Sequence, residues 1–360
     1  MSTLTPDAIA AVLDRYVHPL IGRSLLAAGA VRRIEAGRKP VIDLEIGFPA
    51  AGLRESMAAA VRAEVKQALG VEPEVRIEWK ILSQAVQKNL QPMAGVRNII
   101  AVASGKGGVG KSTVAVNLAL ALQAEGARVG ILDADIYGPS QPMMLGSRDR
   151  PQSPDGKNMH PIVAHGLQAM SIGFLIQQDD QPMIWRGPVV IQALTQLLNE
   201  TRWDDLDYLV VDLPPGTGDI QLSLSQRVPV SGAVIVTTPQ DIALLDAKKG
   251  LQMFRKVGIP VLGVVENMSV FCCPNCGHNT PVFGEGGGAR MAQDYGVEML
   301  GRLPLDIRIR EQADSGKPTV AADPESDLSQ LYRDIARRTA AGLAYGTADD
   351  AFPTIEVTDD

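Results

Sequence analysis

The chain is expected to be α/β, with a doubly wound, mostly parallel sheet preceded by a small α/β N-terminal domain. From Asn98 onward, short β-rich runs at 129–133, 209–212, 233–237 and 261–267 alternate with helical stretches. Parallel strands joined by crossover helices read this way, with functional loops at the strand C-terminal ends. A glycine-rich octet sits where the first of these strands turns into a helix, and two apolar runs end in aspartate, at Asp133 and Asp212.

The elements follow in order. Residues 1–81 carry an amphipathic helix at 5–16, strands at 31–35 and 41–46, a helix at 53–69 and a closing strand at 74–80, which makes a small self-contained domain. The stretch 82–97, with Gln84, Gln87, Asn89, Gln91, Pro92 and Gly95, has weak periodicity and reads as a linker. Residues 98–345 form the main domain. The acidic segment 346–360 reads as a disordered tail. A length of 360 residues accommodates this division, and 45 % apolar content is ordinary for a globular protein. A net charge of −7 argues against a broad nucleic-acid footprint, which needs clustered Lys and Arg. No apolar run reaches about 18 residues, and the N-terminus lacks a basic stretch leading into an apolar core. Neither membrane nor nucleic acid is expected as a partner, and the location is expected to be cytoplasmic.

The octet Gly105, Lys106, Gly107, Gly108, Val109, Gly110, Lys111 and Ser112 satisfies G-x-x-x-x-G-K-[ST], and Thr113 opens the helix behind it. Glycines let backbone N–H groups point inward around a polyphosphate at a helix N-terminus. Lys111 would reach the β- and γ-phosphates and the Ser112 hydroxyl would ligate Mg²⁺. These features mark a P-loop NTPase domain binding ATP. Lys106 is either a solvated loop cation or a second phosphate ligand. At the end of a strand, Asp133-Ala-Asp135 offers carboxylates that can orient water or reach the Mg²⁺ shell, though an Asx turn reads the same way. Asp212 ends an apolar strand before a Gly/Pro-rich turn, the Walker B arrangement for holding Mg²⁺.

All three cysteines lie in one window, Phe271-Cys272-Cys273-Pro274-Asn275-Cys276-Gly277-His278. A tetrahedral zinc or a four-iron cluster needs about four protein ligands, and no second C-x-x-C exists in the chain. Cys272, Cys273, Cys276 and His278 would complete a zinc site within one chain. Alternatively, Cys273 and Cys276 from each of two chains would hold a [4Fe-4S] cluster on a two-fold axis. A thioredoxin-like dithiol fits less well, because the motif does not open a helix after a strand.

The pattern K-G-G-x-G-K-[ST] resembles the deviant P-loop of the MinD, ParA and nitrogenase iron protein group, in which the signature lysine acts across a homodimer. That role falls to Lys106. The segments Asp133-Ala-Asp-Ile-Tyr-Gly-Pro-Ser, Asp212-Leu-Pro-Pro-Gly-Thr-Gly-Asp, Glu266-Asn-Met-Ser-Val-Phe-Cys-Cys-Pro-Asn-Cys-Gly-His and Val282-Phe-Gly-Glu-Gly-Gly-Gly closely resemble the Mrp/ApbC iron–sulfur cluster carrier ATPases over residues 95–340. The resemblance implies a weakly hydrolysing homodimer with a bridging [4Fe-4S] cluster on Cys273 and Cys276. Its partners would be cluster assembly scaffolds and apo iron–sulfur proteins. It also implies that Asp135 polarises water, that 214–219 is the switch II loop, that Asn267 contacts adenine and that Pro304, with Leu305 and Asp306, lines the base pocket. Cys272 is an addition to the pattern. The N-terminal domain resembles the small α/β domain often fused ahead of such proteins, without its Asp-Pro-Glu segment or its cysteine, and a docking role is expected. Other readings are a MinD/ParA-like positioning or partitioning ATPase and a zinc-stabilised P-loop regulator. His18, His160 and His165 are scattered, the turn Trp185-Arg186-Gly187-Pro188 reads as packing, and the glycines at 284–288 read as a hinge.

Overall fold

The computed structural model describes residues 4–87, 90–176 and 187–346. The expected tail, apart from Gly346, and the Trp185-Arg186 pair lie outside the described residues. Two compact units divide the chain: one runs to Lys80 and takes the end of the C-terminal helix from Ala341, and the other is Ile81–Ala340.

In the first unit, α1 (Pro6–Arg15) starts at Thr5, whose hydroxyl accepts from the N–H of Ala8 at 3.2 Å, a standard N-cap. Strands β1 (Val31–Glu35), β2 (Val41–Ile46) and β3 (Glu74–Trp79) form one sheet in that order, β1 antiparallel and β3 parallel to β2. Helix α2 (Arg54–Leu69) is the crossover and ends on Gly70 at φ +70. Ile42, Leu44 and Ile46 alternate inward along β2 and are buried with Ile9, Leu13, Val61 and Val65 of the helices.

The second unit contains β4 (Val96–Ala103), α3 (Lys111–Ala124), β5 (Val129–Asp133), α4 (Gln141–Met144), β6 (Ile162–Ala164), β7 (Leu167–Ser171), α5 (Gly187–Glu200), β8 (Leu206–Asp212), α6 (Asp219–Arg227), β9 (Gly232–Thr237), α7 (Asp241–Lys256) and β10 (Val261–Glu266). There follow β11 (Phe271–Cys272), β12 (Asn279–Thr280), α8 (Gly287–Tyr295), β13 (Met299–Arg302), α9 (Ile307–Asp314), α10 (Thr319–Ala322) and α11 (Asp327–Tyr345), which runs on past the unit boundary. The sheet order is β13-β10-β9-β4-β8-β5-β7-β6, parallel except for β6. The central stretches of β4, β8 and β9, 99–103, 209–211 and 233–236, are apolar on both faces because helices cover both, which is why they read as short Val/Ile/Leu/Ala runs. The chain winds outward from β4 in both directions, so the crevice above its C-terminal end is the expected ligand position for this topology.

Three strands of this sheet, β6, β7 and β13, have no counterpart in the sequence reading. They are short, and β6 and β7 are joined by His165 and Gly166 at φ +48 and +80, a two-residue primed turn. Strand β4 begins at Val96, inside the expected linker. Among the described residues between β3 and β4 the chain has no helix or strand but is held: Gln84 N–H donates to Asn98 Oδ1 at 2.9 Å and Asn98 Nδ2 to Leu82 O at 3.0 Å. The expected glycine hinge at 284–288 is corrected. Gly286, at φ +68, ends the loop, and Gly287 and Gly288 are buried in the first turn of α8. Among the described residues, no helix is long and apolar enough to cross a membrane.

Glu125, at the end of α3, is buried and binds both Arg333 (2.8 Å) and Arg337 (2.7 Å) of α11. Removing one partner of a buried ion pair leaves a charge without full compensation. Arg337→Ala is expected to lower the unfolding free energy by about 3 kcal/mol, read as a shift of the urea midpoint at unchanged slope.

Candidate functional site

The octet occupies the turn from β4 to α3. Gly108 and Gly110 both sit at φ +81, closed to residues with a Cβ except at a cost. A Cβ on Gly105 would stand 2.2 Å from the Asp246 carbonyl carbon in the α7 backbone, and one on Gly110 would stand 2.2 Å from Asn267 Nδ2. Gly107 is exposed with Pro215 beside it, and Gly216 N–H donates to Ser104 O at 2.9 Å, so the 214–219 turn rests against the loop. Lys106 is exposed and its carbonyl accepts from Ser104 Oγ. Thr113 lies in the first turn of α3 and its carbonyl accepts from Asn117 Nδ2 at 2.9 Å.

Lys111 is buried and forms an ion pair with Asp212, which is itself fully buried, while its Nζ also lies 3.2 Å from Ser112 Oγ. The second Asp212 oxygen accepts from Gln141 Nε2 at 2.9 Å. Asp133 stands opposite Asp212 in the β5–β8 register. Its carboxylate accepts from the N–H groups of Asp135, Ser140 and Gln141 and from Ser171 Oγ, at 3.0 to 3.1 Å. Burial and the facing Asp212 push the Asp133 carboxyl up to about 7, against the donors from Gln141 and Asp135. Asp133 is thus the pin that shapes the loop carrying Gln141. Asp135 remains half-buried; burial raises its pKa while Lys111 pulls it down.

Asn267, one residue beyond β10, donates from Nδ2 to Val109 O at 2.9 Å and so props the loop from below. Met268 follows at φ +55, a conformation rare for a residue of this shape. Pro304 lines a cleft of about 490 Å³ with Ser269, Val270, Asn279, Pro281 and Arg302, beside the cysteine segment. Leu305 N–H donates to Val270 O, and Asp306 caps α9.

The cysteines stand on a small hairpin, β11 paired antiparallel with β12. Cys273 N–H donates to His278 O at 3.0 Å and Gly277 N–H to Cys273 O at 2.9 Å, with Gly277 at φ +72 closing the knuckle. Cys273 Sγ accepts from the N–H groups of Cys276 and Asn275 and from the Cys276 side chain, which holds its pKa below the usual thiol value. Cys273 and Cys276 therefore converge. Cys272 Sγ instead faces Gly277 O at 3.7 Å, and all three thiols are free. Among the described residues, no three His, Cys, Asp or Glu side chains converge on a point where one chain would hold a metal.

Residues 95–340 match the model of a family described as NUBPL iron-transfer P-loop NTPase. The chain belongs to this family. Residues 6–79 separately match a family described as iron-sulfur cluster assembly protein. The chain is 53 % identical over 338 residues to the iron-sulfur cluster carrier protein of Haemophilus influenzae, covering 92 % of this chain and 90 % of that one. It is 52 % identical over 282 residues to the iron-sulfur cluster transfer protein NUBPL of Mus musculus, covering 77 % and 88 %. A nucleotide-binding protein of Archaeoglobus fulgidus solved with ADP superposes with a TM-score of 0.58 at 37 % identity, over 66 % of this chain and 93 % of that one. The likeness to the carrier ATPases drawn from the motifs is thereby shown.

In this member of the family, the structure adds Gln141 and Ser171 to the residues read from sequence. Neither carries a local signal: both matter only because β5, β7 and β8 place them beside two buried carboxylates. Gly110→Ala is expected to weaken MgADP binding about 100-fold, roughly 2.7 kcal/mol, because the new Cβ displaces Asn267; titration calorimetry reads it. A carboxyl whose folded pKa is raised contributes stability below its unfolded pKa and loses it as pH rises through the folded value. The stability advantage of the nucleotide-free protein over Asp133→Asn should therefore shrink from about pH 4 to about 7 and level off above, measured by urea denaturation across that range.

Proposed function

We propose that two copies of this chain close on ATP and carry a [4Fe-4S] cluster between their Cys273–Cys276 pairs, releasing it to apo iron–sulfur proteins. The observation that carries the reading is a knuckle with two convergent thiols and, among the described residues, no third His, Cys, Asp or Glu side chain converging with them. A four-iron cluster takes four cysteine ligands, and a two-fold axis through the knuckle doubles the pair. The zinc reading needs Cys272 and His278 to join, and Cys272 faces away toward Gly277 O. Family membership and the names of the relatives agree with a carrier.

In the nucleotide site, Lys111 exchanges Asp212 for the β- and γ-phosphates of ATP. The donor set fits Mg²⁺: Ser112 Oγ and Asp212 meet at Lys111 Nζ, the Gln141 amide reaches Asp212, and Gln141 Oε1 and the neighbouring Ser140 Oγ are buried without a hydrogen-bond partner among the described residues. Bound there, Mg²⁺ supplies charge neutralisation on the phosphates. Asp135 orients the attacking water, and exposed Lys106 reaches the nucleotide of the partner copy. The Asn267 amide has Oδ1 left for the adenine amino group, since Nδ2 is engaged by Val109. The 214–219 turn, held to Ser104 O in the nucleotide-free protein, shifts toward the γ-phosphate when ATP binds and returns when it is lost, and this movement changes the spacing of the two knuckles. The N-terminal unit docks scaffolds or recipients, in keeping with its own family match, and the protein works in the cytoplasm.

Anaerobic reconstitution with iron and sulfide should yield four irons per two chains with [4Fe-4S] absorption. Cys272→Ala should keep the cluster, while Cys273→Ala and Cys276→Ala should lose it. One zinc per chain and no cluster in the wild type would sink the reading. Lys106→Ala should retain ATP binding and lose hydrolysis by about 100-fold, the scale of removing one aligned electrostatic donor.

A further inference from the structure

Strand β10 ends in Glu266, a fully buried carboxylate in an otherwise apolar strand. Both oxygens are engaged. Oε1 accepts from Arg302 Nε on β13 at 3.0 Å, and Oε2 accepts from the N–H of Gly288 in the first turn of α8 at 2.6 Å. A buried charge held this fully is affordable, and removing one partner is not. The fit is close: a Cβ on Gly288 would stand 3.0 Å from Glu266.

What Glu266 joins gives it a role beyond packing. The cysteine hairpin, 271–280, leaves β10 after Ser269, and both the N–H and the Oγ of Ser269 donate to Leu303 O at 2.9 Å. The chain leaving the hairpin reaches α8, whose start is tied to Glu266 through Gly288. Leu303 N–H in turn donates to the Glu266 carbonyl at 2.9 Å. Both stems of the hairpin are thus anchored around one residue: the first through Leu303 to the Glu266 carbonyl, with Arg302 next to Leu303 on the Glu266 carboxylate, and the second directly to that carboxylate. The residue next to Glu266 is Asn267, which grips the phosphate loop at Val109 O.

We propose that Glu266 is a positioning residue, the joint that makes the cysteine hairpin follow the end of β10. Nucleotide contact at Val109 and Asn267 then reaches Cys273 and Cys276 through a rigid connection instead of a slack loop. This inference rests on the proposed carrier function, specifically on coupling between nucleotide and thiols.

The test uses the full chain freed of cluster. Iodoacetamide alkylation of Cys273 and Cys276 is followed by mass spectrometry with and without MgATP, and MgATP affinity is measured on the same samples. In the wild type, MgATP should slow alkylation about tenfold, within the usual range of coupling between sites. Glu266→Gln and Arg302→Met should respond less than about twofold while binding MgATP within about twofold of wild type, and Arg302→Lys should restore the response. A Glu266→Gln protein with the full wild-type response overturns the proposal alone. So does one whose response falls only in step with MgATP affinity, because the role is then merely structural. A wild type indifferent to MgATP overturns the coupling in the proposed function, and this inference with it.

Discussion

A lysine and an aspartate 101 residues apart meet in the interior, and the site is organised around that meeting. Lys111 is the first residue of α3, where the helix dipole is positive and a cation is least welcome. Asp212 closes β8 with no exposed surface. Neither charge is tolerable there alone, and each compensates the other. The pair exists because β8 is inserted between β4 and β5, placing Asp212 level with Val102 at the end of β4. From this contact the rest follows outward. Gln141 holds the free oxygen of Asp212, Asp133 holds the backbone of Gln141, and Ser171 on β7 holds Asp133.

The same arrangement explains why an anion is attractive here. The loop amides and the α3 N-terminus are positive, and buried Lys111 beside them is occupied by a carboxylate. A polyphosphate offers Lys111 a stronger partner, but taking it leaves Asp212 and Asp133 facing each other without their cation. The carboxyl of Asp133, already pushed up to about 7 by burial and by Asp212, marks how little further negative charge this point accepts. Phosphate binding and a second source of positive charge are therefore linked by the geometry of two adjacent strand ends.

Most of the architecture is legible in the residues, and the exceptions share a cause. The buried strands β4, β5, β8, β9 and β10 announce themselves because helices on both faces demand continuous apolar runs. β6, β7 and β13 do not, since short strands toward the sheet margins, such as Leu167-Gln-Ala-Met-Ser, need only one apolar face or a brief one. The octet and its two aspartates are readable because phosphate chemistry dictates local spacing. Gln141, Ser171 and Glu266 are not, because their importance comes from what tertiary pairing puts opposite them. The glycines at 284–288 mislead for a related reason. Gly287 and Gly288 are small because Pro239, Leu244 and Glu266 crowd the start of α8, a packing constraint that looks like flexibility in one dimension.

The cysteine hairpin shows how little structure a ligand pair requires and how much support it needs. Two residues per strand cannot stand alone as a ribbon in water. Order is imposed from outside, by the bonds of Ser269 and Leu305 at the base and by Glu266 beneath the following helix. Within the knuckle, the backbone N–H groups of Asn275 and Cys276 are aimed at Cys273 Sγ, so the thiolate is stabilised by the backbone itself. On the proposed reading, a thiol pair near the surface that supplies half of a ligand set suits a cargo that must be given away. A structural metal would instead be enclosed by four ligands of one chain, and this hairpin has two that converge.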